Sequence, residues 1–357
     1  MRQIWITRPG PPEVLQVREA PDPVAGAGQV RIRVRAAGIN FADLSARIGM
    51  YPDAPKIPCV VGYEVSGVVD QVGEGVTDLA VGDRVFALPR FGGYTDTLVV
   101  PSLQALRMPS KMTFEEGAAL PVTYLTAHHM MLFTGNLRRG SRILIHSAAG
   151  GVGIAAIQLA KTRDCVILGT ASPSKHDFLR REGCHYPIDS KLEGEALRAA
   201  VGEILKGLGH PERGLDLVLD PVGGPSWTDG YEMLGAGGRL VAFGFNSIQG
   251  GKTRSLTRAI ARLFSMKWGW SPIKLMNDNK EIAGCNMGHL FDRLDLLRPQ
   301  FEEIIAMYER GEIKPHVDRT FSFDEAAAAH HYLHDRKAKG KVLLVPDRGL
   351  LTQAPAA

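Results

Sequence analysis

The sequence predicts an α/β protein of two domains, a doubly wound parallel sheet and a β-barrel domain whose two parts flank it in the chain. Three observations carry this. The first third is a series of short strands separated by turn residues; from about residue 142 buried apolar runs alternate with helical periods; and the first of those runs enters a glycine loop that opens directly into a helix. A chain of 357 residues accommodates two ordinary domains.

In the first domain, Val30 to Arg35 alternates apolar and basic residues, the pattern of a strand with one face buried and one wet. Gly62 to Val69, the turn Gly73 to Val76 and the stretch Val81 to Val85 continue short strands broken by turns, a spacing that suits a small barrel. Thr113 followed by Glu116 is a capping-box signature, so a helix is expected from about Phe114, carrying the chain out of the barrel. The runs Arg142–His146, Cys165–Thr170, Leu215–Asp220 and Arg239–Phe243 then read as the strands of a βαβ series and hence of a parallel sheet. Toward the end, Phe323 to Arg336 reads as a helix and Lys341 to Val345 as a strand returning to the first domain. The domains are therefore placed at 1–122, 123–291 and 292–357, the first and last forming one unit.

Ile143–Ser147 leads into Ala148-Ala149-Gly150-Gly151-Val152-Gly153 and the helical run from Ile154. Gly150 would let the backbone approach a pyrophosphate, with Gly151 and Val152 at the helix start, and Gly153 would let the helix pack close to the strand; the helix N-terminus offers N–H groups to an anion. Ala148 replaces the first glycine of the usual fingerprint. An acid about 20 residues past the loop would hold a ribose 2′-hydroxyl and repel a 2′-phosphate. Instead the stretch Gly169 to Lys175 offers Ser172 and Lys175, which suits NADPH rather than NADH.

Composition narrows the function classes. The formal charge of +4 is small for this length, and no nucleic-acid motif is visible. Cys59, Cys165, Cys184 and Cys285 are scattered singly, without the pairs of a zinc ribbon or disulfide framework, and are expected to be buried thiols. The opening segment lacks an apolar h-region, and no apolar run approaches the roughly 18 residues of a membrane span, so a cytoplasmic protein is expected.

The segments Ala37 to Asp43 and Gly62 to Gly67, the loop Ala148–Gly153 and the run Leu219 to Gly224 together resemble the quinone oxidoreductase family of the medium-chain dehydrogenases/reductases. Gly169–Ser172, Pro187–Asp189 and Ile313–Asp318 are similar to its vesicle amine transport protein branch. The resemblance implies a GroES-like barrel domain with a Rossmann domain, a homodimer, and hydride transfer from NADPH. It places Asn40 and Thr126 beside the nicotinamide, Val222, Gly223, Phe243 and Gly244 along the ribose and ring, and Lys341 against the cofactor.

Zinc alcohol dehydrogenases of the same superfamily carry a cysteine and a histidine where this chain has Asn40 and Tyr63, and a four-cysteine lobe that has no counterpart between Phe86 and Val100. A catalytic zinc needs about three converging N, S or O ligands, so no metal is expected. Without a Lewis acid the suitable acceptors are quinones and α,β-unsaturated carbonyls. Asn40 and Tyr51 are the candidate catalytic residues, Tyr51 because a phenol can bond the acceptor oxygen or relay a proton. Glu64 reads as a structural ion pair or hydrogen bond.

His330, His331 and His334 read as residues of a capped surface helix, and His128 and His129 as interdomain helix residues. The run Lys252 to Lys274, with Arg254, Arg258 and Arg262 beside Leu256, Ile260, Leu263 and Phe264 and followed by Trp268 and Trp270, reads as a basic amphipathic helix: a cleft lid, a dimer contact or a weak membrane-surface element. The rival to an enzyme is a membrane- or lipid-interacting protein that retains a nucleotide site with little redox activity.

Overall fold

The structure, a computed structural model, describes residues 1–246 and 270–346. The first domain opens with β1 (Arg2–Ile6), β2 (Leu15–Glu19) and β3 (Gln29–Gly38), followed by α1 (Phe41–Arg47) and β4 (Cys59–Val60). It continues through β5 (Val65–Val72), β6 (Arg84–Ala87), β7 (Thr97–Pro101) and β8 (Ala105–Arg107). β3 has the expected alternation: Val30, Ile32 and Val34 are buried, while Arg31 and Arg33 bond Asp70 on β5 at 2.8 and 2.6 Å. β1 lies between β2 and β4 in a second, three-stranded sheet.

α2 (Phe114–Ala119) starts where the capping box places it: Thr113 Oγ1 accepts from the Glu116 N–H at 3.1 Å, and Glu116 Oε2 accepts from the Thr113 N–H at 3.0 Å. Pro121 then begins α3 (Pro121–His128), which passes into one π-helical stretch, His129–Thr134. Next come β9 (Arg142–Ile145), α4 (Gly151–Lys161), β10 (Val166–Ala171), α5 (His176–Glu182) and β11 (Tyr186–Asp189). They are followed by α6 (Gly194–Gly207), β12 (Leu215–Asp220), α7 (Pro225–Met233), β13 (Leu234–Ala242) and β14 (Glu281–Gly284). These strands form one parallel sheet in the order β11-β10-β9-β12-β13-β14. The order reverses between β9 and β12, so the loops after those two strands flank a crevice at their carboxyl ends, where α/β sheets bind ligands.

The last two strands, β15 (Val317–Ser322) and β16 (Lys341–Val345), join the barrel sheet rather than the parallel one, β16 pairing with β3. One apolar core runs from Tyr63, Phe86 and Met112 through Leu120 and Tyr124 to Ile143, Ile154 and Ile157, so the two sheets share packing through α3.

Two expectations need correcting. The helix Ala326–His334 has an exposed side at Ala328, but its His330 is packed rather than solvated, fully buried against the barrel. Arg47 Nη1 faces His330 Nδ1 at 3.5 Å, and the Tyr94 hydroxyl lies 3.2 Å from His330 Nε2. Cys285 is only half-buried, although Cys59, Cys165 and Cys184 are buried and all four are free. His128 and His129 do serve between elements, on Gln300 and Glu303 of the helix Leu294–Glu309. The basic run 252–274 lies outside the described residues up to 269; of its described end, Trp270 packs on the Tyr231 ring and Lys274 pairs with Asp278.

Candidate active site

The glycine loop follows β9, with Ser147 in the left-handed region at φ 55°. Gly153 is required sterically, since a Cβ there would lie 2.4 Å from the Ala148 carbonyl oxygen. At Gly151 a Cβ would meet Thr123 Cγ2 at 2.9 Å and lie 3.5 Å from Lys341 Cδ, so the loop sits against both α3 and the start of β16. α4 is an eleven-residue helix whose N-cap, Gly150, brings no side chain to cap it. The first-turn N–H groups of such a helix have no intrahelical acceptor, and together with the helix dipole they suit a phosphate. The residues present therefore fit a dinucleotide.

The end of β10 has no acid of its own. Ser172 and Ser174 hydroxyls lie 3.3 Å apart, and the half-buried Lys175 donates from Nζ to the Ala338 carbonyl at 2.6 Å, reaching the segment before Gly340. Burial lowers the Lys175 ammonium from its ordinary value. Asp189, on the neighbouring β11, pairs in register with Ala171, but its carboxylate accepts from the Lys191 N–H at 3.0 Å. Across the crevice, Asp220 is fully buried and accepts from the N–H groups of Val222 (2.6 Å) and Gly223 (3.2 Å) and from the Ser226 hydroxyl (2.6 Å). This carboxylate shapes the Val222–Gly224 turn. The Phe243 N–H bonds the Asp220 carbonyl at 3.0 Å, and Gly244 packs on Pro221, so Val222, Gly223, Phe243 and Gly244 do converge at the ends of β12 and β13.

On the barrel side Asn40 lies at the end of β3. Its Nδ2 donates to Glu64 Oε1 at 2.9 Å, and its Oδ1 accepts from Lys341 Nζ at 2.7 Å. Glu64 and Lys341 form a buried ion pair, 0% and 4% exposed. The Lys341 ammonium thus spends two of its three N–H donors on Asn40 and Glu64. Gly340, just before it, donates its N–H to the Ala149 carbonyl of the glycine loop at 2.8 Å. Thr126 is buried on α3, one turn after Val122, whose N–H donates to Glu64 Oε2 at 2.7 Å.

Tyr51 meets Tyr63 edge-on at 6.4 Å between ring centroids, and Tyr63 packs on Phe91 and Phe291. A Cβ on Gly288 would lie 3.5 Å from the Tyr51 hydroxyl, so this phenol reaches from the barrel to the segment after β14. Beside it Asp53 accepts from His289 at 2.8 Å and from Asn286 at 3.3 Å. Burial raises the Tyr51 phenol above its ordinary value and so keeps it protonated. Among the described residues no group of three or more His, Cys, Asp or Glu could hold a metal ion.

The sequence did not single out Thr123 or Asp220, and it left Glu64 without a partner. Both carboxylates carried a local hint, Asp220 closing the mostly apolar β12 and Glu64 standing just before β5, because a carboxylate buried there must find partners.

Two family models match the chain, an alcohol dehydrogenase GroES-like domain over residues 26–110 and a zinc-binding dehydrogenase over residues 183–344. The human synaptic vesicle membrane protein VAT-1 homolog is 41% identical over 333 residues, covering 93% of this chain and 82% of that protein. The crystal structure of the human synaptic vesicle membrane protein VAT-1 homolog-like protein superposes with a TM-score of 0.83 at 30% identity, covering 98% of each chain. That of Escherichia coli quinone oxidoreductase complexed with NADPH has a TM-score of 0.82 at 27% identity, covering 97% of this chain and 100% of that one.

Proposed function

Because the chain belongs to the medium-chain dehydrogenase/reductase superfamily, in the branch of the VAT-1 homologues, and is an oxidoreductase of the quinone oxidoreductase type, we propose that it transfers hydride from NADPH to a quinone or an α,β-unsaturated carbonyl without a metal. The observation that carries this reading is the junction at Gly340-Lys341. Gly340 bonds the glycine loop and Lys341 bonds the Asn40 amide, so the candidate phosphate loop and the candidate donor are tied by adjacent residues. The likeness to an enzyme complexed with NADPH supports the cofactor, as do Ser172 and Lys175 at the acid-free end of β10.

When bound, the reduced nicotinamide supplies the hydride. The protein's own work is positioning and charge stabilisation. The α4 N-terminus would hold the pyrophosphate, Lys175 and Ser172 the 2′-phosphate, and the Val222–Gly223 and Phe243–Gly244 turns the ribose and ring. Asn40 donates a hydrogen bond, and Tyr51, kept protonated by burial, donates one to the oxygen on which negative charge develops. Quinones and enones spread that charge themselves, which is why a pair of neutral donors suffices. We take the working form to be a cytoplasmic homodimer.

Oxidation of NADPH followed with a naphthoquinone and with cyclohexenone tests the proposal. Saturable, acceptor-dependent oxidation is expected; NADPH that stays unoxidised with both acceptors refutes it. The likeness to synaptic vesicle membrane proteins favours a second reading, in which the basic run 252–274 binds an anionic membrane surface. Cosedimentation with anionic liposomes, lost on raising the salt, would support that role.

A further inference from the structure

We propose that Glu64 and Lys341 are positioning residues that lock the Asn40 amide in one orientation, so that it offers a single N–H donor to a carbonyl oxygen in the cleft. The carbonyl would be the carboxamide of the nicotinamide or the ketone of the acceptor; its identity rests on the oxidoreductase reading, whereas the lock does not.

The orientation follows from proton inventory. An ammonium only donates, so the Asn40 atom 2.7 Å from Lys341 Nζ is the oxygen. A carboxylate only accepts, so the atom 2.9 Å from Glu64 Oε1 is the nitrogen. Turning the amide over would set N–H against N–H and oxygen against oxygen, at a site where neither partner is wet. One hydrogen of Nδ2 is left. Lys341 at the oxygen also polarises the amide and strengthens that remaining donor.

The partners are themselves held. Glu64 Oε2 is occupied by the Val122 N–H at the start of α3. Gly38 makes room for the carboxylate, since a Cβ there would fall 2.5 Å from Glu64 Oε1. The Asn40 N–H donates to Asp43 Oδ2 at 2.8 Å, which fixes the backbone under the amide. Gly340 ties Lys341 to the glycine loop. An ion pair needed only to hold β16 in the barrel would be complete without Asn40; here both polar atoms of the amide are bonded to it.

The test uses the full chain labelled with 15N-asparagine, the Asn40 side-chain signal being assigned from its loss in Asn40→Asp. In the protein without ligand, one Asn40 amide proton should exchange slowly and the other fast, and Lys341→Met or Glu64→Gln should make the two alike. Equal rates in the wild type, or an unchanged pattern in Lys341→Met, would overturn the lock. Adding NADP⁺ should shift the fast proton alone if the carbonyl is the carboxamide; a shift only on adding cyclohexenone assigns it to the acceptor. If both bind and neither shifts it, the donor role is overturned. In turnover, Lys341→Met should lower kcat about 100-fold, the scale of one lost oxyanion donor, and raise the isotope effect with 4-deuterated NADPH; the Kd for NADP⁺ should stay near wild type if the carbonyl is the acceptor's and weaken if it is the carboxamide. The charge-swapped Glu64→Lys/Lys341→Glu protein keeps the ion pair but turns the amide over; restored turnover there would show the pair to be merely structural. Should it not fold, the single variants decide. Failure of NADP⁺ to bind by calorimetry would refute the cofactor and leave the lock to be judged by the exchange rates alone.

Discussion

His330 should make the barrel domain lose stability as the pH falls, and replacing it should remove that dependence. It is fully buried, and its neighbours are Arg47, Tyr94 and, through Arg47 Nη2 at 2.6 Å, His334. Arginine only donates, so His330 Nδ1 accepts from it, and Nε2–H then donates to Tyr94, whose phenol bonds the buried Asp43. Burial, with the positive charge of Arg47 next, pushes His330 well below its ordinary value. The unfolded chain therefore takes up a proton near pH 6.5 that the folded protein refuses, and stability falls with pH by about 1.4 kcal/mol per unit below that point. Asp43 opposes this. Burial raises its carboxyl to about 7, so the folded state keeps a proton that the unfolded one has released, and stability falls as the pH rises from about 4 to 7. The two slopes offset each other in the wild type, and only a difference between proteins exposes them. His330→Gln keeps an acceptor for Arg47 and a donor for Tyr94 but cannot titrate. Urea unfolding of both proteins at pH 6.5 and 5.0 should show the wild type losing about 2 kcal/mol more than the variant over that interval. Parallel losses would refute the neutral, buried His330.

Other outcomes follow from the same geometry. Lys175→Ala should narrow the preference for NADPH over NADH by about 1–2 kcal/mol, the scale of a charge-assisted hydrogen bond, in calorimetric titrations; an unchanged ratio would remove Lys175 from the 2′-phosphate site. Gly153→Ala forces a methyl to within 2.4 Å of the Ala148 carbonyl oxygen, so NADP⁺ binding should weaken by at least about tenfold, roughly 1.4 kcal/mol, while circular dichroism stays that of the wild type. Chelation with EDTA should leave turnover unchanged, because Asn40 and Tyr63 stand where ligands are needed; activity lost with EDTA and restored by stoichiometric zinc would reverse that conclusion.

What the sequence determined by itself is what depends on neighbours in the chain. The alternation of Val30 to Arg35, the Thr113–Glu116 capping box and the passage from Ile145 through Gly153 into α4 are short-range patterns, set by side-chain period and by which backbone angles glycine permits. They were enough to place the barrel, the parallel sheet and the glycine loop between β9 and α4. The chemistry around Asn40 was legible only as residue types. Its amide is held by Glu64, 24 positions away, and by Lys341, 301 positions away, and the His330 chain joins Arg47 across 283 positions. No local pattern records such pairings, because a charge that is costly to bury alone becomes tolerable only when the folded chain brings its counter-charge and hydrogen-bond partners to the same dry place. Tertiary structure alone decided that Lys341 bonds the Asn40 amide and Glu64, and that His330 lies in the core instead of on the surface.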